Sequence, residues 1–83
     1  MKKILYFTAE WCGPCKMIKP KMQQLSQTLP VQFIDVDTNK TTCEQYGIRN
    51  VPCVVIIDNN GTVTGRLVGG NITPQSVTEM FNK

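Results

Sequence analysis

The sequence predicts an α/β fold: a four-stranded mixed sheet with helices on both faces, in the order β-α-β-α-β-β-α. Three observations carry that prediction. Two short apolar runs read as strands: Ile4 to Phe7 as one covered on both faces, and Cys53 to Ile57 as a central strand rich in β-branched residues. Between them the apolar positions Ile18, Met22, Leu25 and Leu29 fall at steps of 4, 3 and 4, the stripe of an amphipathic helix. Asp58-Asn59-Asn60-Gly61 then reads as a hairpin turn into a further strand.

Taken in order, the first strand is expected over Ile4 to Phe7, as in a strand of a parallel sheet covered on both faces. A long helix should follow from about Cys12 to Leu29, kinked at Pro20 because the stripe continues past it, and closed by Pro30. Val31 to Asp35 is the second strand. Asp37 is read as the N-cap of a short helix from about Thr38 to Tyr46, stopped by Gly47. Cys53 to Ile57, rich in β-branched residues, is a central strand. Its hairpin partner runs from Thr62 to Val68, with Gly65 marking a bulge and Gly69-Gly70 ending it. Thr73 as N-cap with Pro74 behind it opens a last helix that buries Val77, Met80 and Phe81. A right-handed crossover sets the long helix against a parallel strand pair, and the hairpin adds an antiparallel strand. With no repeat or linker, 83 residues make one domain, 1–83.

Composition narrows the chemistry. A hydrophobic fraction of 41% with 18% charged residues is that of a folded globular protein. The absence of histidine removes Ser-His-Asp triads, Cys-His dyads, His-ligated metals and an imidazole base. A net charge of +3 is too mild for a nucleic-acid binder, even with Lys2, Lys3, Lys16, Lys19 and Lys21 crowded near the start. Those lysines read first as a solvated helix face. The run after Met1-Lys2-Lys3 is too short for a secretory signal, and no run could span a bilayer. A cytoplasmic protein with no membrane association is therefore expected, where paired cysteines more often serve redox chemistry or metals than structure.

The chemistry concentrates at Glu10-Trp11-Cys12-Gly13-Pro14-Cys15-Lys16. Two cysteines separated by two residues at a helix start can close a small disulfide ring with little backbone movement. Cys12 falls at the strand–helix junction, where free backbone N–H groups and the helix dipole favour a thiolate. Cys15, one turn in, should be more shielded. Pro14 stiffens the turn at a position whose N–H has no helical partner. Such a pair suits thiol–disulfide exchange, with one attacking and one resolving thiol. Cys53 is expected to fill the core, or to lie near the pair and modulate it, while Cys43 sits on the short helix and is more exposed. A four-cysteine zinc site competes, but Cys43 and Cys53 lack the tight loop spacing of structural zinc ligands. Asp35 and Asp37 read as a strand end and a helix cap.

On these residues the sequence resembles the thioredoxin family. Trp11 to Lys16 matches the family's Trp-Cys-Gly-Pro-Cys-Lys signature. Tyr46-Gly47-Ile48-Arg49-Asn50-Val51-Pro52 resembles the family segment that ends in a cis-proline facing the disulfide, and Gly69-Gly70 falls where small residues flank the site. The resemblance implies a minimal thioredoxin fold and a protein-disulfide reductase of glutaredoxin-like size. Cys12 would attack a substrate disulfide and Cys15 would resolve the mixed disulfide. Trp11, Gly13, Pro14, Val51, Pro52 and Gly69 would shape the substrate groove, with Lys16, Tyr6 and Cys53 as modulators. It implies no bound cofactor and no metal, since the Cys12/Cys15 dithiol itself carries the two electrons and is left as the redox-active disulfide. Disulfide-containing proteins would be its substrates, a thioredoxin reductase its electron donor, and a monomer its state.

The departures from the family pattern are specific. The strand and helix that usually precede the motif-bearing strand are not in this sequence. The family's buried acid falls at Tyr6, its companion lysine at Phe33, and an aromatic before the motif at Thr8. Cys15 should then lose its proton by another path, through water, with Glu10 or the Tyr6 hydroxyl nearby. Two alternatives stay open: a glutaredoxin-like reductase drawing on glutathione, with Lys16 or Arg49 for its carboxylates, and a binding partner without an essential redox role. Gly13-Pro14 is the thioredoxin-type dipeptide and weighs against the first.

Overall fold

A computed structural model describes residues 2–83. The elements are β1 (Lys3–Thr8), α1 (Gly13–Leu25), β2 (Val31–Asp35), α2 (Lys40–Tyr46), β3 (Cys53–Ile57), β4 (Val63–Val68), a 3-10 turn (Gly69–Asn71) and α3 (Pro74–Phe81). The sheet order is β2-β1-β3-β4, so the two most apolar strands are the inner ones. β1 runs parallel to β2 and antiparallel to β3, and β4 is antiparallel to β3. β1 is thus not a strand of a purely parallel sheet, but its burial is as expected: Ile4, Leu5, Tyr6 and Phe7 are all covered.

Side-chain alternation divides the core between the two sheet faces. Ile4, Tyr6, Val54 and Ile56 face α1 and α3, meeting Met22 and Val77, with Ile18, Leu25, Met80 and Phe81 around them. Leu5, Phe7, Ile34, Cys53 and Val55 face the other way, toward Cys43, Tyr46 and Ile48 of the α2 region. Each large side chain fully buried here contributes about 1.5–3 kcal/mol. The expected fold class, with helices on both faces, is the one observed.

Three local expectations need correction. α1 ends at Leu25, not Leu29. The next residues form turns, with Ser26 and Thr28 hydroxyls donating to the carbonyls of Gln23 and Leu25. Leu29 still packs on the core, which is why it continues the stripe without being helical. α2 begins at Lys40, with Asn39 rather than Asp37 in the N-cap position and no side-chain cap bond from it. Asp35 organises that entrance: its carboxylate accepts the Asp37 N–H at 2.8 Å and its carbonyl accepts the Asn39 side-chain amide at 2.9 Å. The last strand starts at Val63, one residue late.

Other signals hold. Gly47 ends α2 in the left-handed region at φ 64°. Thr73 caps α3 in a reciprocal pair with Ser76. The β3–β4 register slips between Ile56 and Ile57, leaving Thr64 as the extra residue beside Gly65. A Cβ at Gly65 would overlap the Met80 side chain, so that glycine also lets α3 approach the sheet.

Candidate active site

The C-terminal end of β1 delivers the chain to the site through Ala9, Glu10 and Trp11. The Cys12 N–H donates back to the Ala9 carbonyl at 3.2 Å, which tightens the turn before α1. Cys12 is the N-cap, and its Sγ accepts the Cys15 N–H at 3.2 Å. A sulfur thus replaces the usual hydroxyl or carboxylate cap. Cys12 and Cys15 form a disulfide with Cα atoms 5.3 Å apart. Both are largely covered, Cys12 at 4% exposed and Cys15 at 1%. Neither sulfur is displayed on the surface.

The second wall comes from the loop before β3. Val51-Pro52 is a cis peptide, and the Val51 carbonyl oxygen lies 3.6 Å from Cys12 Sγ. Gly69, at φ 60°, donates its N–H to the Pro52 carbonyl at 3.0 Å. Val36 and Val51 pack against the disulfide from the α2 side. Trp11 is 68% exposed, yet its indole N–H donates to Asp37 at 2.9 Å, which fixes the ring at the rim. A cleft of about 450 Å³ runs from Trp11 past Val36, Lys40, Cys43 and Ile48 to Arg49 and Val51.

Val51 packs against the Cys12–Cys15 disulfide, and Pro52 beside it accepts the Gly69 N–H. Trp11 and Val51 line the first cleft, whereas Cys15 lines a second. Gly13 and Pro14 lie exposed on the first turn of α1, where a Cβ on Gly13 would meet nothing. Lys16 lies beside this second cleft, behind Cys15. Cys53 does not join the disulfide: it is buried with Leu5, Phe7 and Ile34 on the α2 face. Burial pushes its thiol up, partly offset by the Arg66 guanidinium. Cys43 is half-buried on α2, and its thiol is raised by burial and then by the charges of Asp35 and Glu44. Among the described residues no three Cys, Asp or Glu side chains gather closely enough to hold a metal ion, so the four cysteines form no common site.

A family model described as Thioredoxin matches residues 1–82. The chain belongs to the thioredoxin family. It is 37% identical to the thioredoxin of Bacillus subtilis over 81 residues, 93% of this chain and 76% of that protein. With the thioredoxin of Haemophilus influenzae it shares 39% over 70 residues, 80% of this chain and 64% of that one. The chain thus spans between about two thirds and three quarters of these relatives' length. Among solved structures, reduced Schistosoma mansoni thioredoxin pre-protein matches at a TM-score of 0.85 and 32% identity, over 98% of this chain and 76% of that one. As a thioredoxin, the chain is a thiol–disulfide oxidoreductase of the protein-disulfide reductase kind. Its redox group, the Cys12–Cys15 disulfide, is part of the chain and needs no cofactor.

The neighbourhood of Cys15 is aromatic. Tyr6 is fully buried beneath α1, edge-on to Phe33 with ring centroids 5.6 Å apart. This aromatic pair stands at the positions where the family resemblance implied an acid and a lysine. The Tyr6 hydroxyl donates to the Cys15 carbonyl at 3.4 Å, a long bond to backbone and not to the thiol. Burial raises the phenol above its usual range, with a Thr8 hydrogen bond as the smaller opposing influence. Sequence reasoning missed two neighbours. Asp37 holds Trp11 across 26 residues, and no local pattern announces such a pairing. Asp35, at the end of β2, lines the cleft behind Cys15. Its signal was present, since it lies two residues beyond Phe33 on the same strand face.

Proposed function

We propose that this chain, as a single domain over residues 1–83, reduces disulfides in substrate proteins with Cys12 as nucleophile and Cys15 as resolving thiol. The observation that carries the reading is the position of Cys12 Sγ: it caps α1, accepts the Cys15 N–H, and lies 3.6 Å from the Val51 carbonyl at the groove. With no histidine in the chain, the helix terminus is the available activator of this thiol. A helix end stabilises an adjacent anion by about 0.3–2 kcal/mol, which enriches thiolate near neutral pH.

In the reduced protein the Cys12 thiolate attacks one sulfur of a substrate disulfide. A mixed disulfide forms, and the other substrate sulfur leaves as a thiolate that takes up a proton. Cys15 then loses its proton and attacks Cys12 Sγ, which closes the Cys12–Cys15 bond and releases the second substrate thiol. Two electrons pass from the dithiol to the substrate, and no metal or organic cofactor takes part. The groove formed by Trp11, Gly13, Pro14, Val51, Pro52 and Gly69 receives an extended substrate segment, against the backbone of Val51. A flavin-dependent thioredoxin reductase restores the dithiol, in a cytoplasmic, monomeric setting. Among the described residues no helix is long and apolar enough to cross a membrane.

Glutathione is the competing donor. Lys40 and Arg49 along the cleft beside Trp11 and Val51 would suit its carboxylates, which makes this reading testable in its own right. The experiment has two parts. Cys15→Ser, mixed with a disulfide-bonded protein, is expected to accumulate a mixed disulfide at Cys12, seen by mass spectrometry and removed by reductant. Oxidised wild type is expected to be re-reduced at least about tenfold faster by a thioredoxin reductase with NADPH than by millimolar glutathione. The reverse preference would transfer the chain to glutathione-coupled reduction.

A further inference from the structure

The two halves of exchange place different demands on the protein. Cys12 is activated by the helix terminus, but Cys15 is 1% exposed and must give up a proton before it can resolve the mixed disulfide. The aromatic pair Tyr6–Phe33 supplies no base there. Its only hydroxyl is turned to the Cys15 carbonyl, and burial pushes that phenol up, away from proton acceptance at neutral pH.

Register points to a substitute. Tyr6 pairs with Phe33 across β1 and β2, and the next pair on the same face, toward the C-terminal ends of the strands, is Thr8 with Asp35. A carboxylate therefore stands one pair further along than the aromatic pair, at the end where Cys15 enters α1. Thr8, Asp35 and Phe33 line a cleft of about 530 Å³ together with Cys15 itself, Ala9, Glu10, Lys16 and Lys19. The charged and titratable groups facing Cys15 are thus Tyr6 from β1, Glu10 from the turn, Lys16 and Lys19 from α1, and Asp35 from β2. Of the two carboxylates, Asp35 is the one held in place. It is half-buried at the end of a paired strand and its Oδ1 accepts the Asp37 N–H at 2.8 Å, whereas Glu10 is exposed on the turn.

We propose that Asp35 accepts the Cys15 proton, through the cleft behind the disulfide, as Cys15 attacks the mixed disulfide. The inference rests on the dithiol mechanism proposed above. The Cys15 S–H bond breaks and its proton passes to the Asp35 carboxylate, directly or by way of cleft water. The Cys15 sulfur then bonds to Cys12 Sγ as the Cys12–substrate S–S bond breaks, and the substrate leaves as a thiolate. Asp35 afterwards returns the proton to solvent. Lys16 and Lys19 on the same cleft favour the negative charge while it resides on Cys15.

Single-turnover reaction with a symmetrical nitroaromatic disulfide separates the steps. One coloured thiolate leaves when Cys12 attacks and a second when Cys15 resolves, and neither needs a proton to leave. In Asp35→Asn the first phase is expected at the wild-type rate. The second should be slowed about tenfold or more near pH 7, a modest share of what general bases supply. The gap should close by about pH 9, where a thiol ionises unaided, and Asp35→Glu should recover most of the loss. Asparagine keeps an oxygen for the Asp37 N–H, so the fold is retained. An unchanged second phase in Asp35→Asn would overturn the proposal. So would a slowing that persists at every pH, or a loss produced by Glu10→Gln in its place. Absence of any exchange in the wild type would instead defeat the mechanism on which the inference rests.

Discussion

Tyr6 occupies a fully buried position where an ionised side chain would carry a desolvation cost of several kcal/mol. The phenol avoids that cost by staying neutral, and its ring gains the edge contact with Phe33. The consequence appears in alkali. An unfolded tyrosine ionises near pH 10, whereas burial holds the Tyr6 proton to higher pH in the folded chain. Below the unfolded value the contribution to stability is fully present. As pH rises past it, the unfolded state alone releases the proton, so stability falls. Urea midpoints measured at about pH 8 and about pH 11 should separate by less in Tyr6→Phe than in wild type. An equal drop in both would locate the alkaline loss elsewhere.

At the level of elements, the packing of α3 on the sheet depends on a residue with no side chain. The Met80 thioether fills the space over Gly65, next to the register slip in the β3–β4 hairpin. Gly65→Ala is expected to cost about 1–3 kcal/mol by overpacking, read from urea unfolding. Combined with Met80→Ala, the added cost should largely vanish, because the methyl then has room. The sequence marked this glycine as a bulge through its place in a β-branched strand, but the Met80 contact joins residues 15 apart and left no local trace. The strands themselves were legible to within a residue or two, because apolar runs bounded by Gly, Pro and Asp leave little freedom. The end of α1 and the start of α2 were not. Leu29 extends the stripe because a turn packs it on the same core, and Asp37 has the residue type of a cap while Asp35 organises that entrance.

For the molecule as a whole, place in the fold distinguishes two kinds of cysteine: Cys43 and Cys53 belong to the α2-side core, Cys12 and Cys15 to the strand ends. The face under α1 and α3 and the face under α2 each have their own core, and the disulfide lies at the strand ends between them, touched by Val36 and Val51. The motif made Cys12 and Cys15 legible at once, because their spacing and helix position are local. Pro52 and Gly69 were reached only through family resemblance, since they meet the motif through tertiary folding. In the proposed mechanism one dithiol carries the redox chemistry, and Cys12 starts the exchange. Turnover of a disulfide-bonded protein substrate, with a thioredoxin reductase and NADPH and no added cofactor, tests that claim most directly. Wild type is expected to turn over and Cys12→Ser to lose the activity by about a thousandfold or more, the scale of losing an attacking nucleophile. Turnover by Cys12→Ser at the wild-type rate would contradict it.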